Sequence, residues 1–372
     1  MSRKPTITLD IVIPSFRVDT EILQQILHLE QPIGMERRMV VILDNPTIKI
    51  PEDCRKLGER DDVSIFVNET NIGAGGTRNR GIENSTSDWI LFLDDDIHPD
   101  PNLLHVYGGI IANYDYSVPG YVGITNFPKP TNSFTKGFDS SGLLYFFDLA
   151  ERREDVTWGP TSNILFNRKA IGDHRFGYQF PKAGGGEDID FCFQIQKSFG
   201  AKFAAAPKAI VHHPWWNDSK RSYRRSFRWG FSDTMLPSIY KEHCWRDLPN
   251  TVETLSIFLF IAIPMCLFSA LTVMEIGLVI GLVVVGEWIS EWFRQIVENS
   301  VYSPITAIES STIRLAFALG GLHYLITSSK YLKIGNKFDY GYTEWPKKNR
   351  RWSILRLTIQ ASLIITVFLF VY

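Results

Sequence analysis

Residues 86–101 read TSDWILFLDDDIHPDP, and this stretch determines the fold that we expect. The apolar run from Trp89 to Leu93 has the length and composition of a buried β-strand. It ends in three consecutive aspartates, Asp94, Asp95 and Asp96. Ligands of an open α/β sheet bind at the carboxyl ends of its strands, so these carboxylates are expected at a binding edge. An acidic turn that caps the next helix is the alternative.

The spacing of the aspartates indicates a cation site. Side chains two residues apart on an extended strand point the same way, so Asp94 and Asp96 can share one hard cation. Mg²⁺ or Mn²⁺ held by so few protein oxygens takes its other ligands from water and phosphates. The residues therefore predict a divalent cation as cofactor.

The segments before this strand alternate between strand and helix patterns. Residues 9–14 (LDIVIP), 38–43 and 63–67 have the composition of buried strands. A helix is predicted from about residue 19 to residue 30, with Asp19 as its N-cap. This alternation favours a doubly wound, mostly parallel α/β sheet.

Glycines cluster just before the aspartate strand, in NIGAGGTRNRG at residues 71–81. Such a loop is either a tight turn whose bare backbone approaches a nucleotide or diphosphate, or a flexible link between strand and helix. The spacing is not GxGxxG, so the glycines alone leave both interpretations open. Arg78 favours the first, because a guanidinium group beside the loop suits phosphate or base recognition.

A second acidic cluster follows three glycines, in GGGEDID at residues 184–190. Glu187 and Asp188 either stabilise the start of a helix through its dipole or supply a general base for a hydroxyl nucleophile. Two histidines, His212 and His213, follow a later apolar run. One of them makes chemical sense as a third ligand of a cation held by aspartates, and hydrogen-bonded residues without a ligand role are the alternative.

Composition divides the chain into two parts. The 372 residues carry a net charge of −1, so no global field attracts nucleic acid, and 45% of them are hydrophobic. Apolar density rises sharply after residue 255. The four cysteines have no metal-binding spacing and fit a reducing compartment. Because the N-terminal sequence lacks the features of a secretory signal, we expect the first part in the cytosol.

Three C-terminal segments have the length and apolarity of membrane spans, at about residues 255–273, 276–293 and 355–372. Residues 313–327 form either an interfacial helix or a fourth span. The basic loop 330–352 favours the interfacial helix, since the positive-inside rule opposes placing that loop outside. The sequence therefore predicts an integral membrane protein.

Residues 215–229 combine tryptophan and tyrosine with lysine and arginine. On a helix this composition is typical of the membrane interface, with rings at headgroup depth and cations toward anionic lipid. Nucleic acid binds similar surfaces, but the apolar segments that follow favour membrane lipids as the partner and exclude nucleic acid.

Six motifs in this order resemble those of family 2 glycosyltransferases, inverting enzymes of the GT-A fold that use nucleotide sugars. They are IVIPSFR (11–17), VVILDN (40–45), NIGAGGTRNRGI (71–82), FLDDDI (92–97), GGGEDIDFCFQI (184–195) and IVHHP (210–214). The third and fourth look similar to those of galactofuranosyl- and rhamnosyl-type members. The resemblance implies a Rossmann-like mixed sheet of the nucleotide-diphospho-sugar transferase type, followed by transmembrane helices. The domains implied are a catalytic domain 1–218, basic and aromatic interfacial helices 219–250 and a membrane region 251–372.

The resemblance also implies roles for single residues. Contacts to the nucleotide sugar are implied for Pro14, Ser15, Asp44, Gly75, Arg78, Asp95 and Arg228. The implied metal ligands are Asp94, Asp96 and His213, with His212 as the alternative histidine. Asp188 is the implied base, with Glu187 orienting it or touching the acceptor. Processive members carry QxxRW where this chain has arginine in place of glutamine before Arg228 and Trp229, which argues against processive synthesis.

These features predict a hexosyltransferase at the cytosolic face of a membrane. It moves a sugar from a nucleotide-sugar donor, a UDP-sugar, to a hydroxyl of a lipid-linked or glycan acceptor. Mn²⁺ or Mg²⁺ acts as the Lewis acid on the leaving diphosphate, and Asp188 deprotonates the acceptor, which inverts the anomeric carbon. A processive polysaccharide synthase and a catalytically inactive GT-A membrane scaffold are the alternatives.

Overall fold

The computed structural model describes residues 6–268 and 270–371 and divides the chain into two compact units. Unit 1 comprises Met1–Lys129 and Leu144–Trp215, and unit 2 comprises Pro130–Leu143 and Trp216–Tyr372. The excursion 130–143 therefore belongs with the C-terminal helices, although it interrupts the N-terminal half of the sequence.

The secondary structure alternates through unit 1 and becomes mainly helical in unit 2. The strands are β1 Ile7–Ser15, β2 Met35–Leu43, β3 Val63–Val67, β4 Trp89–Leu93, β5 His98–Pro99, β6 Gly120–Asn126, β7 Asp155–Val156, β8 Asn163–Asn167, β9 Phe203–His212, β10 Cys244–Arg246 and β11 Asn336–Phe338. The helices are α1 Thr20–Leu27, α2 Glu52–Leu57, α3 Gly73–Glu83, α4 Leu103–Ala112, α5 Ser133–Ser140, α6 Arg168–Ile171, α7 Glu187–Phe199, α8 Arg224–Ile239, α9 Thr251–Leu267, α10 Val273–Asn299, α11 Pro304–Thr327 and α12 Trp345–Val371.

Unit 1 is built on one mixed sheet with the strand order β3-β2-β1-β4-β8-β6-β9-β5, and β7 pairs with β9. The first four strands of this order are parallel, whereas β8 runs antiparallel to both β4 and β6. The predicted α/β fold with a Rossmann-like mixed sheet is confirmed. The strands that the sequence predicted make up only the parallel half of the sheet. The antiparallel direction of β8 was not predicted, because the direction of a strand relative to its neighbours cannot be read from its own sequence.

The carboxyl ends of β1, β2 and β4 meet at one edge of this sheet. Ser15 pairs in register with Leu43, and Val12 pairs with Phe92 near the end of β4. The later parts of these strands, at residues 11–13, 39–43 and 89–93, are apolar and buried in the core of the unit, so the first polar residues after them fall together at the edge.

Helix α3 packs closely on β1. A Cβ atom built on Gly81 would lie 2.2 Å from Cγ1 of the buried Val12. Only glycine allows this approach, so the position of α3 over the sheet depends on this residue.

Unit 2 is organised around a close contact between α8 and α11. A Cβ on Gly230 would lie 1.8 Å from the carbonyl oxygen of Phe317, and one on Gly320 would lie 1.8 Å from that of Phe227. The residues predicted as an interfacial helix or fourth span, 313–327, thus form the second half of a helix that packs on α8 inside this unit.

A buried polar network ties the excursion 130–143 to the C-terminal helices. The Gln295 side chain donates to the carbonyl oxygen of Ser140 at 2.7 Å. The carboxylate of Glu291 accepts from Arg294 at 2.6 Å and from the Ser310 hydroxyl at 2.6 Å. The inner side of α10 is therefore polar from Glu291 onward and bonded to protein groups.

Among the described helices, α10 and α12 are long and apolar enough to cross a membrane. The sequence predicted three such spans, and the first of them, 255–273, falls mainly on α9, whose bounds in the structure differ from the prediction. Helix α9 ends at Leu267 after 17 residues, and Thr272 begins a new helix through a capping box with Glu275. The predicted spans 276–293 and 355–372 fall on α10 and α12, apart from Tyr372, which lies outside the described residues.

The close contact between Gly81 and Val12 predicts that alanine destabilises unit 1 at Gly81 but not at a glycine with open space around it. Gly81→Ala should destabilise unit 1 by about 1–3 kcal/mol, because the new methyl group overpacks Val12. Gly109→Ala is the matched control, since this exposed glycine of α4 has open space around it, and alanine there should be neutral or stabilise by up to about 1 kcal/mol. Urea unfolding of both variants measures the difference, and equal effects would contradict the assigned packing.

Candidate active site

Asp95 fastens the aspartate loop to the end of β1. Its buried carboxylate accepts from the Ser15 hydroxyl at 2.8 Å and from the Arg17 guanidinium at 2.7 Å. It also accepts from the backbone amides of Phe16 at 3.2 Å and Arg17 at 3.4 Å. The middle aspartate of the three is therefore committed to holding two strand ends together.

Asp96 lies between a guanidinium and an imidazole. One of its oxygens is 2.7 Å from the Arg17 guanidinium, and the other is 3.2 Å from Nε2 of His213. Burial acts to raise the pKa of Asp96, but the hydrogen bond from His213 and the charges of His213 and Arg17 hold that pKa well below its ordinary value. This carboxylate is therefore ionised at neutral pH.

His213 is oriented by the chain that follows it. Its Nδ1 lies 2.5 Å from the carbonyl oxygen of Pro214, which can only accept, so Nδ1 carries a proton. The ring then donates to Asp96 only as an imidazolium, whereas the neutral ring turns its Nε2 lone pair toward the carboxylate. A lone pair and a carboxylate oxygen facing each other are a pair of ligands suited to a cation.

Arg78 joins the two acidic motifs. Its guanidinium is 3.0 Å from Asp94 and 2.9 Å from Glu187, and the side chain is only 7% exposed. Burial acts to raise the pKa of Asp94, and Arg78 opposes that rise, although the pKa remains above its ordinary value. The first aspartate of the motif thus faces an arginine from α3 and not the histidine after β9.

A glycine loop presents Glu187 and Asp188. Gly184, Gly185 and Gly186 have φ angles of 82°, 130° and 87°, a run that side chains other than hydrogen would strain. Helix α7 begins directly after them, and the Gly185 amide donates back to Glu187. The loop therefore fixes where the first turn of α7 starts.

Asp188 has the protonation behaviour of a base that works near neutral pH. Burial and the neighbouring charge of Glu187 raise its pKa to about 7, while Arg78 acts in the opposite direction. Its carboxylate accepts the amide of Ile189 at 2.9 Å, and the residue keeps part of its surface exposed. A hydroxyl group from outside can therefore reach it.

Asp44, at the end of β2, caps the glycine helix. Its buried carboxylate accepts from the amides of Ile72 and Gly73 at 2.9 Å each and from the Asn68 side chain at 2.7 Å. The next amide, that of Ala74, donates to the carbonyl oxygen of Lys182 at 2.8 Å. The first amides of α3 thus already have protein acceptors.

The metal ligands implied by the sequence come together only in part. His213 and Asp96 are paired, His212 is exposed, and Asp94 is bound to Arg78. Within residues 6–268 and 270–371, no group of three or more His, Cys, Asp or Glu side chains is arranged to hold a metal ion. Asp96 and His213 are chemically suited to bind one cation as two ligands. Asp94 lies near enough for the charges of Asp96 and His213 to affect its pKa.

Comparison with known proteins finds a family match within this unit. Residues 10–175 match the family described as Glycosyl transferase family 2. This stretch carries most of β1, the Asp44 and glycine segments and the three aspartates. Over this stretch the chain is similar to glycosyl transferase family 2.

Two curated relatives are themselves glycosyltransferases or biosynthesis proteins. The pre-mycofactocin glycosyltransferase of Mycobacterium tuberculosis is 24% identical over 184 residues, covering 47% of this chain and 37% of that protein. The succinoglycan biosynthesis protein ExoM of Rhizobium meliloti is 27% identical over 197 residues, covering 48% of this chain and 57% of that protein. The chain thus spans about a third to somewhat over half of the length of these relatives. A solved structure of GalNAc-T7 with UDP, GalNAc and Mn²⁺ is 14% identical, covers 65% of this chain and 50% of its own, and has a TM-score of 0.45.

The remaining site residues implied by the resemblance fall in different places. Pro14 and Ser15 end β1 beside the aspartates, and Gly75 lies in the first turns of α3, close to Glu187. Arg228 lies in α8 and belongs to unit 2. The contacts of these residues to a nucleotide sugar stay predictions.

Sequence reasoning missed two residues of this candidate site. Arg17 lies in the quoted motif IVIPSFR, and its charge beside a strand end was the available signal for a partner of the aspartates. Asn79 forms two hydrogen bonds with the backbone of Phe176, at 2.8 and 2.9 Å, and no local pattern indicates a partner 97 residues away.

Proposed function

We propose that this chain transfers a sugar from a nucleotide-sugar donor, a UDP-sugar, to an acceptor hydroxyl with inversion at the anomeric carbon. The acceptor proposed is a lipid-linked or growing glycan at the cytosolic face of a membrane. The similarity to glycosyl transferase family 2 over residues 10–175 supports the reaction class. The donor, the acceptor and the metal dependence belong to the proposal.

One observation supports this function above the others. The aspartate motif after β4 and the Glu187-Asp188 motif at the start of α7 lie at the same edge of the sheet, since Asp94 and Glu187 bind the same guanidinium. A site for a phosphate-bound cation and a general base are thereby within reach of one substrate.

In the proposed reaction, Asp188 accepts the proton of the acceptor hydroxyl. The hydroxyl oxygen forms the new bond to the anomeric carbon from the face opposite the leaving group, and the old bond breaks with its electron pair on the diphosphate. A carboxylate with a pKa of about 7 is well matched to this proton transfer, since a base is most effective when its pKa is near the working pH.

The leaving diphosphate carries growing negative charge. Asp96 and His213, with Asp94, are the residues proposed to hold Mn²⁺ or Mg²⁺, which supplies Lewis-acid stabilisation of that charge. Arg17, an exposed cation beside Asp96, lies where a phosphate group can meet it.

We further propose that unit 2 attaches the enzyme to a membrane. Helices α10 and α12 are candidate spans, and α9 is apolar although shorter. Large apolar side chains of these helices face outward, including Phe260 at 83% exposure, Leu267 at 79% and Leu369 at 75%. Apolar side chains exposed in such number are typical of a surface that lipid covers.

A screen of the detergent-solubilised protein against nucleotide sugars, with Mn²⁺ present, tests the reaction directly. We expect release of the nucleoside diphosphate from at least one donor. Failure of every donor to turn over, in a protein that is folded and binds UDP with Mn²⁺, would favour the inactive scaffold over the enzyme.

The base assignment predicts a specific pattern of loss. Asp188→Asn should lower kcat by about 10²-fold or more while leaving UDP binding with Mn²⁺ intact, because the amide cannot accept the proton. Asp190→Asn, two residues later on the same helix, is the matched control and should retain most of the activity, since its neighbour Gln194 can still donate to an amide oxygen. Equal loss of UDP affinity in Asp188→Asn would contradict a role in the chemical step.

The raised pKa of Asp188 sets the pH dependence. The base works only when ionised, so kcat/KM should fall about tenfold per pH unit below about pH 7 and level off above it. Initial rates at saturating metal from pH 5 to pH 9 measure this profile. An acid limb centred near pH 4, the ordinary carboxyl range, would contradict the assigned environment.

The histidine pair offers a matched test of the metal site. His213→Ala should weaken Mn²⁺ binding in the presence of UDP by about tenfold or more, because it removes the group facing Asp96. His212→Ala should change Mn²⁺ binding little, since His212 is exposed at the end of β9. Titration of Mn²⁺ followed by electron paramagnetic resonance compares the two variants. A larger loss in His212→Ala would reverse the assignment.

Membrane attachment is tested on the full chain by flotation with neutral phosphatidylcholine vesicles at high salt. Phe260→Lys combined with Leu267→Lys should reduce co-flotation strongly, since a lysine in hydrocarbon costs about 2.5–3.5 kcal/mol. Ile33→Lys, an equally exposed apolar residue of unit 1, should float like the unmodified protein. Unchanged flotation of the double variant would contradict insertion of α9.

A further inference from the structure

Arg78 holds together two segments that are far apart in sequence. Its guanidinium contacts Asp94, 16 residues away, and Glu187, 109 residues away. Both contacts are at hydrogen-bonding distance, and the side chain is 7% exposed. The two terminal nitrogens of the guanidinium bind different carboxylates, so this one side chain links the aspartate motif to the start of α7.

The rest of α3 is docked on the same segment. The Ala74 amide donates to the Lys182 carbonyl at 2.8 Å, and Asn79 pairs with the backbone of Phe176 through both its side-chain oxygen and its nitrogen. A Cβ on Gly73 would lie 2.7 Å from Cα of Lys182, and one on Gly75 would lie 3.2 Å from Cβ of Phe176. The glycines of α3 therefore permit close contact with the segment 176–187, which precedes the base.

Three amides at the start of α3 are bonded to protein acceptors. Those of Ile72 and Gly73 donate to Asp44, and that of Ala74 donates to Lys182. A helix N-terminus binds an anion through amides that lack other acceptors. The pattern around Arg78 is therefore that of a brace between protein segments.

We propose that Arg78 is a positioning residue that fixes the general-base segment against the aspartate motif. This inference rests on the proposed function, because it assigns Arg78 a part in presenting Asp188 for proton transfer. Arg78 holds Glu187, the first residue of α7, and Asp188 follows it directly. Movement of Glu187 would move the base with it.

The chemistry requires an arginine. A guanidinium has donors in a planar fork and can bind two carboxylates on different sides at once, whereas an ammonium group is a point charge on a flexible stem. Lysine at this position would keep the charge between Asp94 and Glu187 but would not hold both groups in fixed directions.

The charge of Arg78 also acts on the base. The groups that influence the pKa of Asp188 are Glu187 on its own helix and Arg78 on α3, with the second lowering it and the first raising it. Asp190 and Cys192 lie further along α7, and Arg78 also binds Asp94. Removal of the arginine charge should therefore raise the pKa of Asp188, and removal of the Glu187 charge should lower it.

The experiment compares Arg78→Lys, Arg78→Gln and Glu187→Gln with Arg80→Lys in the full-length enzyme. Arg80 lies two residues later on α3, bonds to Val67 and Asn68 and provides the matched control. The readouts are kcat and KM with the donor that the unmodified enzyme turns over, the affinity for UDP with Mn²⁺, the melting temperature and the pH profile of kcat/KM.

We expect Arg78→Gln to lower kcat by about 10²-fold and Arg78→Lys by about tenfold, with UDP affinity changed less than about threefold. The acid limb should move to higher pH in Arg78→Gln, to lower pH in Glu187→Gln, and should stay in place in Arg78→Lys. A purely structural role would lower the melting temperature without moving the limb. Arg80→Lys should resemble the unmodified enzyme.

The outcomes separate this inference from the function on which it rests. Loss of UDP affinity in parallel with kcat/KM in Arg78→Lys, which retains the charge, would make Arg78 a nucleotide ligand and overturn the inference while leaving the transferase intact. If Arg78→Gln does not fold, Arg78→Lys and Glu187→Gln still report the affinity for UDP and the position of the acid limb of the pH profile. Absence of turnover in the unmodified enzyme would overturn the proposed function and this inference together.

Discussion

Neutralisation of crowded carboxylates is the constraint on which this site depends. Asp94, Asp95 and Asp96 follow one strand, and Glu187 and Asp188 lie at the same edge of the sheet. Two arginines, one histidine and a set of backbone amides bind these carboxylates. Without these partners the buried charges would repel one another and would each pay the cost of leaving water. The fold around the edge is therefore arranged to supply cations and amides.

Each partner of the carboxylates also sets a position. The Ser15 hydroxyl and the amides after it bind Asp95 and fix the aspartate loop to β1. The capping of α3 by Asp44 fixes the helix that carries Arg78. Positions set by several independent hydrogen bonds vary little, and little variation in position is what a base and a cation site require of their supports.

In helix α10 of unit 2, as at the edge of the sheet, buried charged groups are bonded to protein partners. Its inner residues from Glu291 onward are charged and bonded to protein groups, whereas the outer face carries exposed apolar side chains such as Val273 and Val297. A helix in contact with lipid gains from apolar side chains outside, and its polar groups must find partners inside. The polar inner face of α10 also binds the excursion 130–143, through the hydrogen bond from Gln295 to Ser140.

The sequence predicted most of the sheet and the identity of the acidic motifs. The strand 89–93 begins and ends where its apolar run does, because a buried strand must be apolar along its whole length. The strand 63–67 also has its predicted bounds, although it contains Ser64 and is only partly buried. The bonds of Arg78 were not predictable, since they join residues 16 and 109 positions apart and leave no local pattern. The sequence placed the break between α9 and α10 too late, at residues 273–276, because hydropathy counts Thr272 as one more weakly polar residue, whereas its side chain caps a helix. The placement of 130–143 in unit 2 depends on Gln295 and Arg294, which lie more than 150 residues later.

The two arginines at the aspartates differ in a way that bears on ligand binding. Arg17 is 58% exposed and bonds to Asp95 and Asp96 from the end of a flexible side chain, whereas Arg78 is 7% exposed and is held by α3. An exposed ion pair contributes little to stability and exchanges readily with water, and a buried pair is costly to break. A cation that approaches Asp96 therefore competes with Arg17, whose guanidinium can turn to a phosphate group at little cost. Arg78 has no such alternative, because its release would leave Asp94 and Glu187 buried without a cation. The site thus combines one arginine that can yield to a ligand with one that maintains the arrangement of the carboxylates.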